Sequence, residues 1–234
     1  MTALHCVLIL GQGAFGRAIA ERATARGIAD VRMATRAENL DNAALSIDRL
    51  AGVDVVIDAT HAASVQTHVE ATMRARVPMV VGTTGWAESL PAVEQLVALH
   101  RGALLHAANF ATGVMRLTAL VREVGRWFPA SAGYATTIVE THHAAKRDAP
   151  SGTARQLAAA LPESVAIVSI RVGHVPGTHE VLVDGPFEQL RLVHEVRDRR
   201  LFADGAIDAA TWLCAEPRQG VFTMHDVLAG AGAA

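Results

Sequence analysis

The residues best suited to chemistry lie close together, in the segment ETHHAAKRDAPSGT at positions 140–153 of the 234-residue chain. Two adjacent histidines, His142 and His143, follow a strand-like segment, and Lys146 lies four residues beyond the first of them. Histidine can supply a proton near neutral pH, and an adjacent ammonium group can orient a carboxylate or assist the transfer. We therefore predict that this loop binds a small dianionic substrate and protonates it.

The end of this loop predicts an anion-binding helix start. Pro150 ends the loop, and Ser151, Gly152 and Thr153 open a helix-like segment. The unpaired amides and the positive dipole end of a helix attract anions, so these three residues are predicted to bind the substrate. The alternative is that Ser151 and Thr153 only cap the helix, which is the commonest use of such residues.

The histidines also allow a metal site, in which His174 and His179 join His142 and His143. Consecutive residues of an extended segment point to opposite faces, which disfavours a shared ion, and we predict no metal. Six other histidines show no pattern that supports a site: His5, His61, His68, His100, His106 and His225.

A second motif, GQGAFG at positions 11–16, fits the G-x-G-x-x-G pattern of dinucleotide-binding turns. It directly follows an apolar run and opens a helix-like segment, which is less typical of an ordinary glycine-rich loop. Gly11 permits the tight turn, Gly13 lets a pyrophosphate approach the backbone, and Gly16 lets helix and strand pack closely. The predicted contacts to the dinucleotide come from Gly11, Gln12, Gly13, Ala14, Phe15 and Gly16.

The end of the second apolar run predicts the cofactor. About 20 residues beyond the glycines, where an acid commonly binds the adenosine ribose, the chain has Thr35 and Arg36. An acid would repel a 2′-phosphate, whereas arginine offers a planar cationic fork for it. We therefore predict NADPH in preference to NADH. In the alternative, Arg36 is a solvated surface residue and Glu38 binds the ribose hydroxyl.

The elements that carry these motifs predict an α/β fold. Apolar runs of strand length recur through the first half of the chain, at residues 4–10, 31–34, 53–59, 78–82 and 103–107. A helix-like segment at 14–26 separates the first two, and later intervals are long enough for crossover helices. Continuous apolar strands are typical of a parallel sheet covered on both faces, here of the Rossmann type.

Beyond about residue 125 the pattern changes to that of a second, α+β domain for substrate binding and oligomerisation. Its predicted elements are strands at 134–140, 165–171, 179–183 and 189–196 and a helix at 151–161. The turn residues Asp184 and Gly185 predict that the last two strands pair antiparallel. A helix at 206–215 is apolar enough to return to the first domain. The predicted domains are 1–110 plus 206–234, which binds the dinucleotide, and 111–205.

Composition excludes several classes of partner. The formal net charge is −2, so no sequence-wide cationic field exists to bind nucleic acid or an anionic membrane. The uncharged stretch 102–115 is shorter than the roughly 18 apolar residues of a membrane span. Cys6 and Cys214 stand far apart, which excludes a disulfide framework. No signal peptide is recognisable before Arg17, and we expect a cytoplasmic protein.

Together these motifs resemble the 4-hydroxy-tetrahydrodipicolinate (dihydrodipicolinate) reductase family of the diaminopimelate route to lysine. The resemblance covers almost the whole chain, and the segment from 140 to 154 is its most specific part. The other markers are GQGAFG at 11–16, DAT at 58–60, GTTG at 82–85, ANF at 108–110, RVG at 171–173, GTH at 177–179, FADGA at 202–206 and MHDV at 224–227.

The resemblance implies roles for individual residues. His142 would be the proton donor, Lys146 its catalytic partner and His143 a substrate contact, while Gly152 and Thr153 would bind a substrate carboxylate. The nicotinamide half of the cofactor site would be formed by Gly82, Thr83, Thr84, Ala108, Asn109 and Phe110. The implied reaction is hydride transfer from the nicotinamide to a cyclic imine dicarboxylate, followed by protonation. A homotetramer joined through the second domain is also implied.

The chain departs from the family pattern at three places. Ala59 replaces an aromatic residue, Ala111 and Thr112 stand where a serine is usual, and no acid stands at Thr35. The first two departures admit a paralogue that reduces another cyclic imine. A third hypothesis is a binding module that senses NADP(H) or a dicarboxylate without turnover. The presence of both His142 and Lys146 favours the reductase.

Overall fold

The computed structural model describes residues 4–231, which form two compact units. One unit comprises the residues up to Phe110 and those from Arg200 onward, and the other comprises Ala111–Arg199. The strands are β1 (Cys6–Leu10), β2 (Asp30–Ala34), β3 (Val55–Asp58), β4 (Met79–Val81), β5 (Ala103–His106), β6 (Ala135–His142), β7 (Ala166–Arg171), β8 (Thr178–Asp184), β9 (Gln189–Glu195) and β10 (Gly220–Phe222). The α-helices are α1 (Ala14–Ala25), α2 (Ile47–Leu50), α3 (Ala62–Arg74), α4 (Leu90–His100), α5 (Thr112–Trp127), α6 (Gly152–Ala160), α7 (Arg200–Cys214) and α8 (Met224–Ala231).

The first unit is built on a six-stranded parallel sheet in the order β10-β5-β4-β3-β1-β2. Every residue of β1, β3 and β4 is buried, which is why these strands are continuous apolar runs in the sequence. The predicted Rossmann-type sheet is therefore confirmed. Strand β10 and helix α8 were not predicted. β10 has only three residues, all half-buried, and α8 has only eight, so neither shows a clear periodic pattern of apolar residues.

The helices of the first unit bury their apolar faces on this sheet. Helix α3 contributes Val65, Val69 and Met73, all fully buried, and α1 packs against α7. The predicted return helix at 206–215 begins earlier, at Arg200, so the predicted boundary at 206 lies inside α7. Gly205, a residue type that is unfavourable inside helices, lies within this helix and is buried.

The second unit is a four-stranded mixed sheet in the order β7-β6-β8-β9. β6 pairs parallel with β7 and antiparallel with β8, and β8 pairs antiparallel with β9 as predicted. Alternate residues such as Ile138 and Val181 pack into a core with Leu157 of α6 and Val121 of α5. Glu140 and His142 lie two and four residues beyond Ile138 on β6, so they project from the same buried face of the sheet.

Candidate cofactor and substrate sites

The glycine-rich turn of the first unit gives each glycine a distinct physical role. Gly11 has φ of +96°, and a Cβ atom there would lie 2.4 Å from the carbonyl oxygen of Ala59. A Cβ atom at Gly16 would lie 2.1 Å from the carbonyl oxygen of Gly11, so close packing of helix on turn requires glycine. At Gly13 a Cβ atom would meet no protein atom within 4 Å. The first and third glycines thus shape the turn, while the second exposes its backbone at the start of α1.

This turn opens onto a cavity of about 700 Å³. Its wall comes from three strand ends and the segments that follow them, and it includes Gly11, Gln12, Gly13, Thr35, Arg36, Asn39, Thr60, His61 and His68. The carboxyl ends of β1, β2 and β3 meet at one edge of the sheet, where doubly wound folds bind their ligands. The structure thus brings Thr35 and Arg36 beside the glycine-rich turn.

The end of β2 bears on whether Arg36 or Glu38 faces the adenosine ribose. The backbone N–H of Thr35 donates to Glu38 Oε2 at 2.7 Å, and the N–H of Glu38 donates to Thr35 Oγ1 at 3.1 Å. The hydrogen bonds from Thr35 lower the pKa of Glu38 below its ordinary value. The Glu38 carboxylate is thus engaged with the turn itself, while the Arg36 side chain is exposed.

A buried carboxylate stands at the end of β3. Asp58 Oδ1 accepts hydrogen bonds from the N–H and the hydroxyl of Thr60, at 2.9 and 2.7 Å, and from the Thr83 hydroxyl at 2.6 Å. Burial by itself would raise the pKa of Asp58, but hydrogen bonds from His68 and Thr83 outweigh it and lower the pKa. The anion fixes the strand ends that carry the motifs DAT and GTTG.

Two of the other predicted cofactor residues, Phe15 and Phe110, lie against Gly82. The rings of Phe15 and Phe110 stack with centroids 6.0 Å apart. A Cβ atom at Gly82 would lie 2.6 Å from the Phe15 ring and 3.2 Å from the Phe110 ring. The residues 82–84, the glycine-rich turn and the end of ANF are therefore brought together within the first unit.

In the second unit, the end of β6 carries a second buried carboxylate. Glu140 is fully buried, and its Oε1 accepts from the Ser151 N–H at 3.0 Å and from Arg171 Nη2 at 2.8 Å. Its Oε2 lies 2.9 Å from His142 Nδ1. Burial would raise the pKa of Glu140, but the hydrogen bonds from Ser151, Arg171 and Ser169 lower it to about 2.

The strand register explains how these groups come together. Glu140 is paired across the sheet with Ser169 of β7 and with His179 of β8, and His179 is paired with His194 of β9. Four polar side chains therefore form one row on the buried face of the sheet. The ring centroids of His142 and His179 are 5.1 Å apart. Burial lowers the pKa of both histidines, that of His179 to about 4.

Ser151 is the N-cap of α6, in line with the capping alternative. Its hydroxyl accepts from the Ala154 N–H at 3.1 Å and lies 3.0 Å from His179 Nε2. Ser151 is buried, whereas Gly152 is exposed and Thr153 half-buried. The part of the predicted anion site that faces outward is therefore the helix start at Gly152 and Thr153.

The loop after β6 separates the two adjacent histidines. His142 faces Glu140, whereas His143 lines a different cavity of about 370 Å³ with His174 and Arg199. Lys146 Nζ donates to Asp148 Oδ1 at 2.7 Å. The four histidines considered from the sequence as metal ligands do not form one cluster. Instead, potential ligand atoms of Glu140, His142 and His179 lie within 4.8 Å of one another. The Arg171 guanidinium already pairs with that carboxylate.

Several residues of these two sites were not predicted to be functional, among them Asn39, His68, Glu140 and Arg171. Glu140 could have been found from its spacing, since it shares a strand face with His142 two residues later. Arg171 and His68 depend on strand register and on the placement of α3, for which the sequence carries no local signal.

Two family descriptions match the chain. "Dihydrodipicolinate reductase, N-terminus" matches residues 6–110, and "Dihydrodipicolinate reductase, C-terminus" matches residues 113–228. A curated 4-hydroxy-tetrahydrodipicolinate reductase from Gluconacetobacter diazotrophicus is 36% identical, with 92% of this chain and 93% of the relative covered. One from Natronomonas pharaonis is 37% identical, with 76% and 79% covered.

Among solved structures, a dipicolinate-bound dihydrodipicolinate reductase from Paenisporosarcina sp. TG-14 has a TM-score of 0.77. The identity is 20%, and the match covers 94% of this chain and 98% of that one. At this identity the likeness establishes the shared fold. Within residues 4–231, none of the helices has the length and apolar content needed to cross a membrane.

Proposed function

The chain belongs to the dihydrodipicolinate reductase family, and from this premise we propose how its residues perform the reaction. It is an NAD(P)H-dependent oxidoreductase that reduces 4-hydroxy-tetrahydrodipicolinate to tetrahydrodipicolinate in lysine biosynthesis. We propose that His142 donates the proton, that Lys146 assists it, and that His143, Gly152 and Thr153 bind the dicarboxylate. Ser151 does so indirectly, because its hydroxyl caps the start of helix α6.

The observation that carries the proton-donor assignment is the burial of His142 against Glu140, 2.9 Å from Nδ1 to Oε2. Burial, Lys146 and Arg171 lower the pKa of His142, while the Glu140 carboxylate opposes them. The imidazolium is thus attracted by one anion and disfavoured by burial and by two nearby cations, which suits a group that must release its proton. The other ring nitrogen, Nε2, lies beside Gly177, where a Cβ atom would be 3.1 Å away.

The cofactor supplies the hydride when bound. The residues proposed to hold it are those of the glycine-rich turn, the strand end at Thr35 and Arg36, and Gly82, Thr83, Thr84, Ala108, Asn109 and Phe110. The helix start at Ala14 would face its pyrophosphate, and Arg36 would pair with a 2′-phosphate. NADPH is therefore preferred to NADH, since Glu38 is held by Thr35.

Steady-state kinetics test the chemical assignment. With freshly generated 4-hydroxy-tetrahydrodipicolinate and NADPH, His142→Gln should lower kcat about 10²- to 10⁴-fold while NADPH affinity is unchanged. Lys146→Ala should act in the same direction, and His100→Gln, at the end of α4, should leave kcat unchanged. Full activity of His142→Gln would refute the assignment. Turnover only with a different cyclic imine would identify a paralogue, and dicarboxylate binding without turnover would identify a sensor.

Cofactor preference is tested by binding. Arg36→Ala should weaken the binding of NADPH by on the order of 1.5 to 3 kcal/mol, the contribution of a charge-assisted contact. The binding of NADH should be nearly unchanged. Arg74→Ala is the matched control, because this exposed arginine of α3 pairs with Glu70 outside the cavity. Equal affinities for the two cofactors in the unmodified protein would contradict the assignment of Arg36.

We also propose a homotetramer joined through the second unit, in the cytoplasm. The face of its sheet opposite the core exposes Val168, Ile170 and Val193, at 48%, 41% and 57%. Exposed apolar groups that share one face of a sheet are candidates for an interface. Light scattering should give four times the 24.7 kDa of one chain. A monomer at micromolar concentration would contradict the proposal, and Val168→Lys should dissociate the tetramer.

A further inference from the structure

A chain of hydrogen bonds crosses the wall of the cofactor cavity from strand β3 to the segment after β2. His68 of α3 is 6% exposed. Its Nδ1 lies 2.7 Å from Asp58 Oδ2, and its Nε2 lies 3.0 Å from Asn39 Nδ2. Asn39 Oδ1 accepts from the Ala44 N–H at 3.2 Å, which fixes the amide so that its NH₂ group faces the histidine.

These partners define the protonation of His68. The Asp58 carboxylate only accepts, so Nδ1 must carry a hydrogen. The Asn39 NH₂ group only donates, so Nε2 must accept. The arrangement therefore requires the neutral imidazole, with one nitrogen held by the β3 end and the other holding Asn39.

Asn39 in turn fixes the turn that carries Arg36. Its backbone N–H donates to the Thr35 carbonyl at 3.0 Å, which closes the turn around Arg36. The segment that follows, Leu40–Leu45, contains two consecutive left-handed residues, Asp41 at φ 51° and Asn42 at φ 61°. Such backbone persists only where its surroundings hold it. The Asn39 side chain supplies part of that hold, because it joins Ala44 to the buried His68.

We propose that His68 and Asn39 are positioning residues that set the cofactor preference by fixing the turn around Arg36. The inference rests on the proposed NADPH site and assigns a role to two residues of the cavity wall that act through that turn. NADPH carries the phosphate that Arg36 reaches, whereas NADH lacks it. A loosened turn therefore weakens NADPH more than NADH.

The test is a double-mutant cycle on the full chain, with the affinities of NADPH and NADH measured by calorimetry. His68→Leu alone should lower the affinity for NADPH about tenfold, and that for NADH less than about threefold, as for loss of one to two hydrogen bonds. In an Arg36→Ala background, His68→Leu should not change the ratio of the two affinities further, because the two residues act through one contact.

Two further variants separate positioning from bulk stability. His68→Gln should restore most of the preference, since its amide can donate to Asp58 and accept from Asn39. Asn39→Ala should cause the same loss of NADPH preference. Because Asn39 is only half-buried, this variant keeps the test valid even where His68→Leu does not fold. His100→Leu serves as the histidine control.

The outcomes distinguish the inference from the proposed function. Equal losses of NADPH and NADH in His68→Leu, or additive losses in the cycle, would overturn the positioning role while Arg36→Ala still lowers the preference. No change of preference in Arg36→Ala would overturn both the assignment of the phosphate site and the inference that depends on it.

Discussion

Each unit of the chain buries one carboxylate against the Nδ1 atom of a histidine, but the two pairs have different surroundings. Asp58 and Glu140 are both fully buried near the ends of their strands, 2.7 and 2.9 Å from His68 and His142. Asp58 also accepts from neutral donors of Thr60 and Thr83. Glu140 instead pairs with the Arg171 guanidinium and an amide of Ser151.

The difference teaches what decides the use of such a pair. His68 is engaged at both nitrogens, so it joins two segments and has no nitrogen left for a ligand. His142 Nδ1 lies 2.9 Å from Glu140 Oε2 without a hydrogen bond between them, and its Nε2 lies beside the small Gly177. The same carboxylate-histidine unit therefore serves architecture where the second nitrogen is bonded, and is proposed to serve chemistry where that nitrogen faces a glycine.

The largest expected effect comes from neutralising each carboxylate. Glu140→Gln leaves the Arg171 guanidinium, whose side chain is 17% exposed, without its anion. Breaking a buried pair in this way costs about 3 to 5 kcal/mol of unfolding free energy. Asp58→Asn keeps one acceptor oxygen and replaces the other by an NH₂ group that cannot accept from its neutral partners, which should cost about 1 to 3 kcal/mol. Urea unfolding measures both, and equal losses would remove the contrast between the two units.

The next effect is an acid sensitivity located in the second unit. The pKa of His179 is lowered to about 4 by burial, from an ordinary 6.5. The unfolded chain therefore takes up a proton between pH 6.5 and 4 that the folded chain does not. This stability is fully present above pH 6.5 and is lost as the pH falls through that window. Glu140 adds a second loss as the pH falls from about 4.5 towards about 2.

The measurement is urea unfolding at pH 7 and at pH 5. His179 should account for roughly 2 kcal/mol of the decrease between these values, so His179→Leu should flatten the pH dependence by that amount. His5→Leu, at an exposed position, is the control and should leave the slope unchanged. A variant with the slope of the unmodified protein would assign the acid sensitivity to other groups.

A smaller effect separates stability from binding within the cofactor unit. Gly16→Ala places a Cβ atom 2.1 Å from a backbone oxygen, and such overpacking should cost about 1 to 3 kcal/mol of unfolding free energy. Gly13→Ala meets no protein atom, and its φ of −66° suits alanine, so stability should be unchanged. Its methyl group should instead lower the affinity for NADPH, which calorimetry measures. Equal destabilisation by both substitutions would show that Gly13 serves the turn as well.

Much of this architecture could be predicted from the sequence, for physical reasons that also explain the omissions. Strands buried on both faces are continuous apolar runs, so β1, β3, β4 and β5 were recognisable, and the glycine roles followed from backbone sterics. The left-handed residues Asp41 and Asn42 carry no apolar period and were not foreseen.

The polar network of the second unit was out of reach for a different reason. Ser169, Glu140, His179 and His194 meet because three strand pairings set their register. Register between segments about 15 to 40 residues apart depends on the turns and on both faces of the sheet. His68 is similar, since only the packing of α3 brings it to Asp58.

The smallest expected effect tests whether surface charge contributes to the contrast between the units. Arg74 and Glu70 form an exposed pair on α3 of the first unit, and Arg126 and Glu123 form one on α5 of the second. Exposed helix pairs contribute about 0.3 to 0.5 kcal/mol, because solvent screens them and both side chains lose freedom. Glu70→Ala and Glu123→Ala should therefore each change the unfolding free energy by less than about 0.5 kcal/mol, and by similar amounts. Raising the salt concentration should reduce both effects. A loss above about 1 kcal/mol at either position would mean that surface pairs, and not only the surroundings of Asp58 and Glu140, distinguish the two units.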